Sequence, residues 1–187
     1  SDRTDAVIVA ASNSSQADKD AADYVADGNT GSANDGDQVQ INAALTAAAG
    51  KKVVLLAGTY TADATILIPN NTTLTGVGQG TLVQLADIDA TDNLIENSDT
   101  TTGVGIAIRD LQIDGQQAVQ SGTITQYGIY LFHMGSQSTG RMGARISNVY
   151  IKDVRDTGIY LSASENNLVT SSTFYSIDAG GTAPVAV

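Results

Sequence analysis

Asp110, Asp114, Asp153 and Arg155 are the residues whose types and spacing best suit chemistry. An Arg or Lys can take a proton beside a sugar carboxylate, and a cation held by Asp side chains makes that proton more acidic. Arg109-Asp110 and Arg155-Asp156 are basic-acidic pairs of this kind. Asp110, Asp114 and Asp153 stand on or beside segments one repeat apart, so folding can bring them to one flank. Asp114, Asp153 and Asp156 could also serve glycoside hydrolysis, which needs two carboxylates roughly 5 to 9 Å apart. The plainer alternative is that all are solvated turn residues making surface ion pairs. His133, the only histidine, lies in Phe132-His133-Met134 with no second histidine and no adjacent serine nucleophile. That leaves it without the partners of a nucleophilic relay.

Two tyrosines offer different chemistry. In Ile129-Tyr130-Leu131 and Ile159-Tyr160-Leu161 the aliphatics alternate with the phenol, so inward aliphatics put both tyrosines outside. Stacked in register, Tyr130 and Tyr160 would form an aromatic ladder suited to carbohydrate rings, which present apolar faces and polar rims. A stack that merely stabilises the flank is the structural alternative.

The positioning elements follow from a repeat. Gly-Ile-Tyr-Leu occurs at 128–131 and again at 158–161. Leu111-Gln112-Ile113-Asp114 is echoed 38 residues later by Val149-Tyr150-Ile151-Lys152, and Thr72-Thr73-Leu74 precedes it by 39. Short strands returning at a loosely kept interval mark a solenoid. Composition agrees. Of the 20 acidic residues 18 are Asp and two are Glu, a bias toward turns over helix.

The charge of −11 argues against nucleic acid as a partner, because no basic patch exists to displace phosphate counterions. It also disfavours an anionic membrane surface, and no run of about 18 apolar residues exists to insert into one. Cysteine is absent, so there is neither a disulfide framework nor a thiolate metal site. No cofactor is expected. Ca²⁺ is the one open possibility, at Asn34-Asp35-Gly36-Asp37, although that spacing is not an EF-hand's.

One structural domain is expected, with residues 1–52 forming an amino-terminal strand, loop and capping helix, and 53–187 the coils. Asp37 can N-cap the helix, with Gln40 three residues on as in a capping box. Ile41, Ala44, Leu45 and Ala48 form its narrow apolar stripe, and Gly50 ends it. The rest reads as short strands separated by Asn, Asp and Gly turns, enough for about four to five coils.

The segments Val7–Ser12, Ala22–Gly28, Asp37–Leu45, Val53–Tyr60 and Leu67–Gly76 together resemble the amino-terminal part of pectate-lyase-like right-handed parallel β-helix proteins. Ile108–Gly115 and Asp156–Leu161 resemble their ordinary coils. The resemblance implies an all-β, single-stranded parallel β-helix with a capping α-helix. It is poorly specific for function, since that superfamily spans polysaccharide lyases and hydrolases, tail spikes and surface proteins without assigned activity. The paired-Asp, Gly-His-Gly and Arg-x-Lys signatures of its polygalacturonase branch are missing here.

The leading expectation is therefore a non-enzymatic extracellular module on a cell surface, filament or virion, binding glycans or its own copies. Self-assembly would run by strand addition through Ala6, Val7, Ile8, Val9 and Ala10 at one end and Val185 and Val187 at the other. The alternative is a lyase or glycoside hydrolase acting on acidic polysaccharide, with Asp110, Asp114, Asp153 and Arg155 near its cleft.

Overall fold

Short strands that bury alternate residues need a partner surface, and here each finds it in the coil before and the coil after. The structure is a computed structural model that describes residues 6–29, 35–86, 93–120 and 126–177. Its elements are β1 (Ala6–Ala10), α1 (Gln16–Ala21), β2 (Tyr24–Val25), α2 (Gln38–Ala47), β3 (Lys52–Leu55), β4 (Gly58–Ala62), β5 (Ile66–Ile68), β6 (Thr73–Thr75), β7 (Thr81–Leu85), β8 (Ile95–Asn97), β9 (Ala107–Asp114), β10 (Tyr127–Phe132), β11 (Arg145–Val154), β12 (Thr157–Ser162), β13 (Leu168–Thr170) and β14 (Thr173–Ile177). All the ladders between these strands are parallel.

Three faces result. The first stacks β2, β1, β3, β6, the start of β9, the start of β11, and β13. The second stacks β4, β7, the ends of β9 and β11, and β14. The third stacks β5, β8, β10 and β12. The chain is a right-handed parallel β-helix, with β3 beginning the first full coil and β13–β14 belonging to the fifth.

Aliphatic columns run along the inside of each face. Val53, Leu74, Ile108, Ile146 and Val169 are in register on the first, and Tyr60, Val83, Ile113, Ile151 and Phe174 on the second. Ile66, Ile95, Ile129 and Ile159 line the third. Most of these side chains are buried, so each coil shields the apolar faces of its neighbours. Tyr60 is fully buried and donates its hydroxyl to the carbonyls of Val9 (2.9 Å) and Leu56 (3.0 Å).

The corners explain the Asn and Asp bias. Asp110, Asn148 and Ser171 have φ of 57°, 52° and 51° where the first face turns into the second. Asp153 and Ser176 do the same at the end of the second face, and His133 and Ala163 at the end of the third. Left-handed backbone is least costly for Asn, Asp and Gly, and stacking the turns spares each coil a new solution.

At the amino-terminal end, α2 buries Ile41, Ala44 and Leu45 and packs on β1 and β5. Asp37 does not cap it as the sequence suggests. Its backbone is helical and its side chain makes no cap bond. The buried carboxylate instead accepts from Gly28 N and Thr61 N, both at 2.8 Å, tying the preceding loop to β4.

Ala6, Val7, Ile8, Val9 and Ala10, the expected assembly edge, lie largely within the sheet. β1 lies inside its sheet, with Ala6–Val9 paired to β3 and Val9–Ala10 paired to β2. Ile8 N is taken by Asp23 Oδ2 at 2.8 Å. From Ile8 to Ala10 both edges are engaged, which leaves that stretch no backbone groups to recruit another copy. Val185 and Val187 lie outside the described residues.

Candidate functional site

The charged residues singled out in sequence do not form one cluster. Asp110 sits at the first corner, where its carboxylate accepts from Asn148 Nδ2 (2.7 Å) and Thr75 Oγ1 (3.5 Å). Asn148 is its partner one coil on, and Asp153 follows five residues further along β11, on the order of 15 Å away. Asp110 is therefore too far from Asp153 to share a reaction centre with it.

Asp114 and Asp153 do meet, through Lys152. The ammonium lies 2.5 Å from Asp114 and 3.3 Å from Asp153. The other oxygen of Asp114 accepts Gln116 N at 2.8 Å. Hydrogen bonding to Asp114 raises the Lys152 pKa, ahead of the weaker opposing effect of burial and the attraction of both carboxylates. Lys152 thus stays a cation at neutral pH, and the trio fastens β9 to β11 at the second corner. Arg155, just beyond, donates to Gln120 O at 2.9 Å.

The third face is different in kind. Tyr127, Tyr130 and Tyr160 point outward and stack on one another. Centroids are 5.4 Å apart for Tyr127–Tyr130, 5.0 Å for Tyr127–Tyr160 and 5.5 Å for Tyr130–Tyr160, with interplanar angles of 19°, 15° and 9°. Phe132 extends the row from Tyr130 at 6.3 Å, and the His133 ring lies 3.9 Å beyond it. His133 Nδ1 meets Thr100 O at 2.8 Å, which with its corner backbone accounts for the residue structurally. Below the stack, Glu96 is in register with Tyr130 and bonded by Asn93 Nδ2 at 2.5 Å. Burial first, then the charge of Asp156 and the two neighbouring phenols, raise the Tyr127 pKa, so its hydroxyl stays neutral and able to donate.

Tyr127 was missed in sequence because strict alternation places it inside, whereas the same alternation puts Phe132 outside beside Tyr130. In the structure Gly128 and Ile129 are both buried, which resets the alternation and turns Tyr127 out beside Tyr130. The glycine carries the signal. A Cβ on Gly128 would lie 2.7 Å from Gly158 O, and the same glycine recurs in both Gly-Ile-Tyr-Leu copies.

Of the expected Ca²⁺ loop, Asn34 lies outside the described residues, and Asp35–Asp37 is tied down by hydrogen bonds that it both donates and accepts. Asp63 accepts from Asp35 N and Gly36 N, both at 3.0 Å, while Asp37 holds Gly28 and Thr61. Among the described residues no group of three His, Cys, Asp or Glu side chains could hold a metal ion.

Three parallel faces around an aliphatic interior define a right-handed parallel β-helix. No protein-family model matches the sequence, and no curated protein matches it. Among solved structures the chain is similar to two mannuronan C-5 epimerase A-modules from Azotobacter vinelandii. With AlgE6 the TM-score is 0.63 at 18% identity, covering 81% of this chain and 49% of that one. With AlgE4 it is 0.59 at 18% identity, covering 80% and 48%. The chain thus spans about half the length of these modules.

Proposed function

We propose that this chain is the polysaccharide-recognising part of a carbohydrate-active β-helix, and that sugar rings lie on Tyr127, Tyr130 and Tyr160. The observation that carries this reading is the stack itself, three near-parallel phenols 5.0 to 5.5 Å apart on the outside of the third face. Tyr160 is 42% exposed, so its ring is accessible to a sugar. The platform offers apolar faces, phenolic donors and the Glu96 carboxylate as an acceptor for sugar hydroxyls.

Both solved neighbours are polysaccharide-acting enzymes by name, which supports the carbohydrate-active alternative over the adhesive surface module expected from sequence. The occupied state of Asp110, Asp114, Asp153 and Arg155 argues for corner-building roles, so recognition is assigned to the tyrosines. Affinity electrophoresis through gels containing uronate and neutral polysaccharides tests the reading. Retention that disappears in Tyr130→Ala/Tyr160→Ala, with unchanged thermal unfolding, supports it. Equal migration in every gel removes it.

A further inference from the structure

Where the third face turns back into the first, two arginines share an open hollow of about 390 Å³ with Met142, Asn166 and Asn167. Arg141 donates to Gly135 O at 3.2 Å. Arg145 donates to Ala144 O at 3.2 Å and Asn166 O at 2.7 Å. A guanidinium carries five N–H donors, so most remain available on each residue. Arg141 Nε is buried with no partner. Among the described residues neither arginine has a carboxylate within 4.0 Å. Asn167 adds a further donor edge, because its carbonyl oxygen is already taken by Ala144 N at 2.7 Å. Glu165, which precedes Asn166 in the chain, has one oxygen held by Gln137 N at 2.6 Å.

Two guanidinium groups with no counterion among the described residues are unusual on a chain of net charge −11. Their fork of donors matches the two oxygens of a carboxylate. We propose that this hollow binds the carboxylate of a uronic acid unit in a polysaccharide seated on the tyrosine face. The inference rests on the glycan reading above and narrows it to acidic polysaccharide. The path leaves the end of β10 at Phe132 and turns the corner at His133. The row Tyr130, Phe132, His133 leads to Gly135, whose carbonyl positions Arg141, and Gly135 is about 10 Å of chain beyond Phe132.

Calorimetric titration with three sets of oligosaccharides of equal length, uronate, neutral and sulfated, tests this on wild type, Arg145→Gln and Arg141→Gln/Arg145→Gln. Wild type is expected to bind oligouronates roughly tenfold or more tighter than neutral chains, the scale of charge-assisted hydrogen bonds. Both variants should lose that preference while keeping neutral binding, and added salt should shrink it in wild type. Arg145→Gln alone carries the test if the double variant unfolds. Equal binding of uronate and neutral chains, or a preference that survives both substitutions, overturns the inference and leaves the tyrosine platform standing. Stronger binding of sulfated chains overturns the carboxylate assignment. No binding of any chain removes the platform reading and this inference together.

Discussion

Tyr130 and Tyr160 occupy the same position in successive coils, and their rings lie 5.5 Å apart at 9°. Backbone register alone brings them together, since Ile129 and Leu131 stack on Ile159 and Leu161 beneath them. Tyr127 closes the group from the start of the same strand, 5.0 Å from Tyr160.

Removing one outer ring should weaken glycan binding without harming the fold. Tyr160→Ala is expected to lower affinity about three- to tenfold, the scale of one aromatic contact. Its exposure keeps the change in unfolding temperature small. Binding isotherms and thermal melts on the same preparations check both halves. A large melt shift with unchanged affinity would assign the stack to stability alone.

Gly128→Ala should be costly for a different reason. The added methyl would meet Gly158 O at 2.7 Å and Ile151 Cγ2 at 3.1 Å, one a backbone atom and the other in the core. Two coils would have to separate locally, at about 1–3 kcal/mol. Urea unfolding measures it, and tyrosine fluorescence would report loosening of the stack. A stable variant with unperturbed fluorescence would contradict the close approach.

Asp37 and Asp99 make opposite contributions to pH dependence. Burial raises the Asp37 pKa above 3.8, more than its bonds from Thr61 and Gly28 lower it. The folded state then holds its proton more tightly, so this stability is fully present below pH 3.8 and is lost as pH rises through the folded value. Asp99 is lowered from 3.8 by Thr102 N–H first, then the Thr102 hydroxyl and Thr101 N–H. Its contribution is present above pH 3.8 and lost as pH falls. Asp37→Asn should flatten the profile just above pH 3.8, and Asp99→Asn the profile below it. Denaturant unfolding across pH 2–7 checks each sign; an Asp37→Asn profile parallel to wild type would be the contrary result.

Lys152→Met should destabilise by about 1–3 kcal/mol, because it leaves the Asp114 carboxylate largely buried without its cation. Lys152→Met/Asp114→Leu should recover much of the loss, since removing both partners removes the unpaired charge. A double variant no better than the single one would show that the clamp is not the reason for the loss.

Much of the architecture was legible in the chain. Leu111-Gln112-Ile113 and Val149-Tyr150-Ile151 share an alternation that can only bury one face, and they stack in register. The plainer reading of Asp110 and Asp153 as turn residues matches their left-handed corner backbone, while the corner at Asn148 fell inside a segment that reads as a single strand. Their acidity suggested chemistry, but at Asp110 and Asp153 the same side chains answer a conformational need. Residue type could not separate the two roles, because a corner and a reaction centre both favour Asp.

What the sequence by itself determined was therefore the coil: which residues face in, where the chain turns, and that Tyr130 and Tyr160 face out. What only the tertiary structure decided was which coil residues meet. Successive register positions Lys52, Thr73, Ala107, Arg145 and Leu168 are separated by 21, 34, 38 and 23 residues. With spacing that uneven, neighbours across coils depend on how much chain each loop absorbs. So the turn of Tyr127 toward Tyr160, the place of β1 inside its sheet, the clamp at Lys152 and the convergence of Arg141 with Arg145 emerge only once the coils are stacked. Local alternation is a property of a few consecutive residues, whereas those contacts are set by closing loops of different lengths onto one common register.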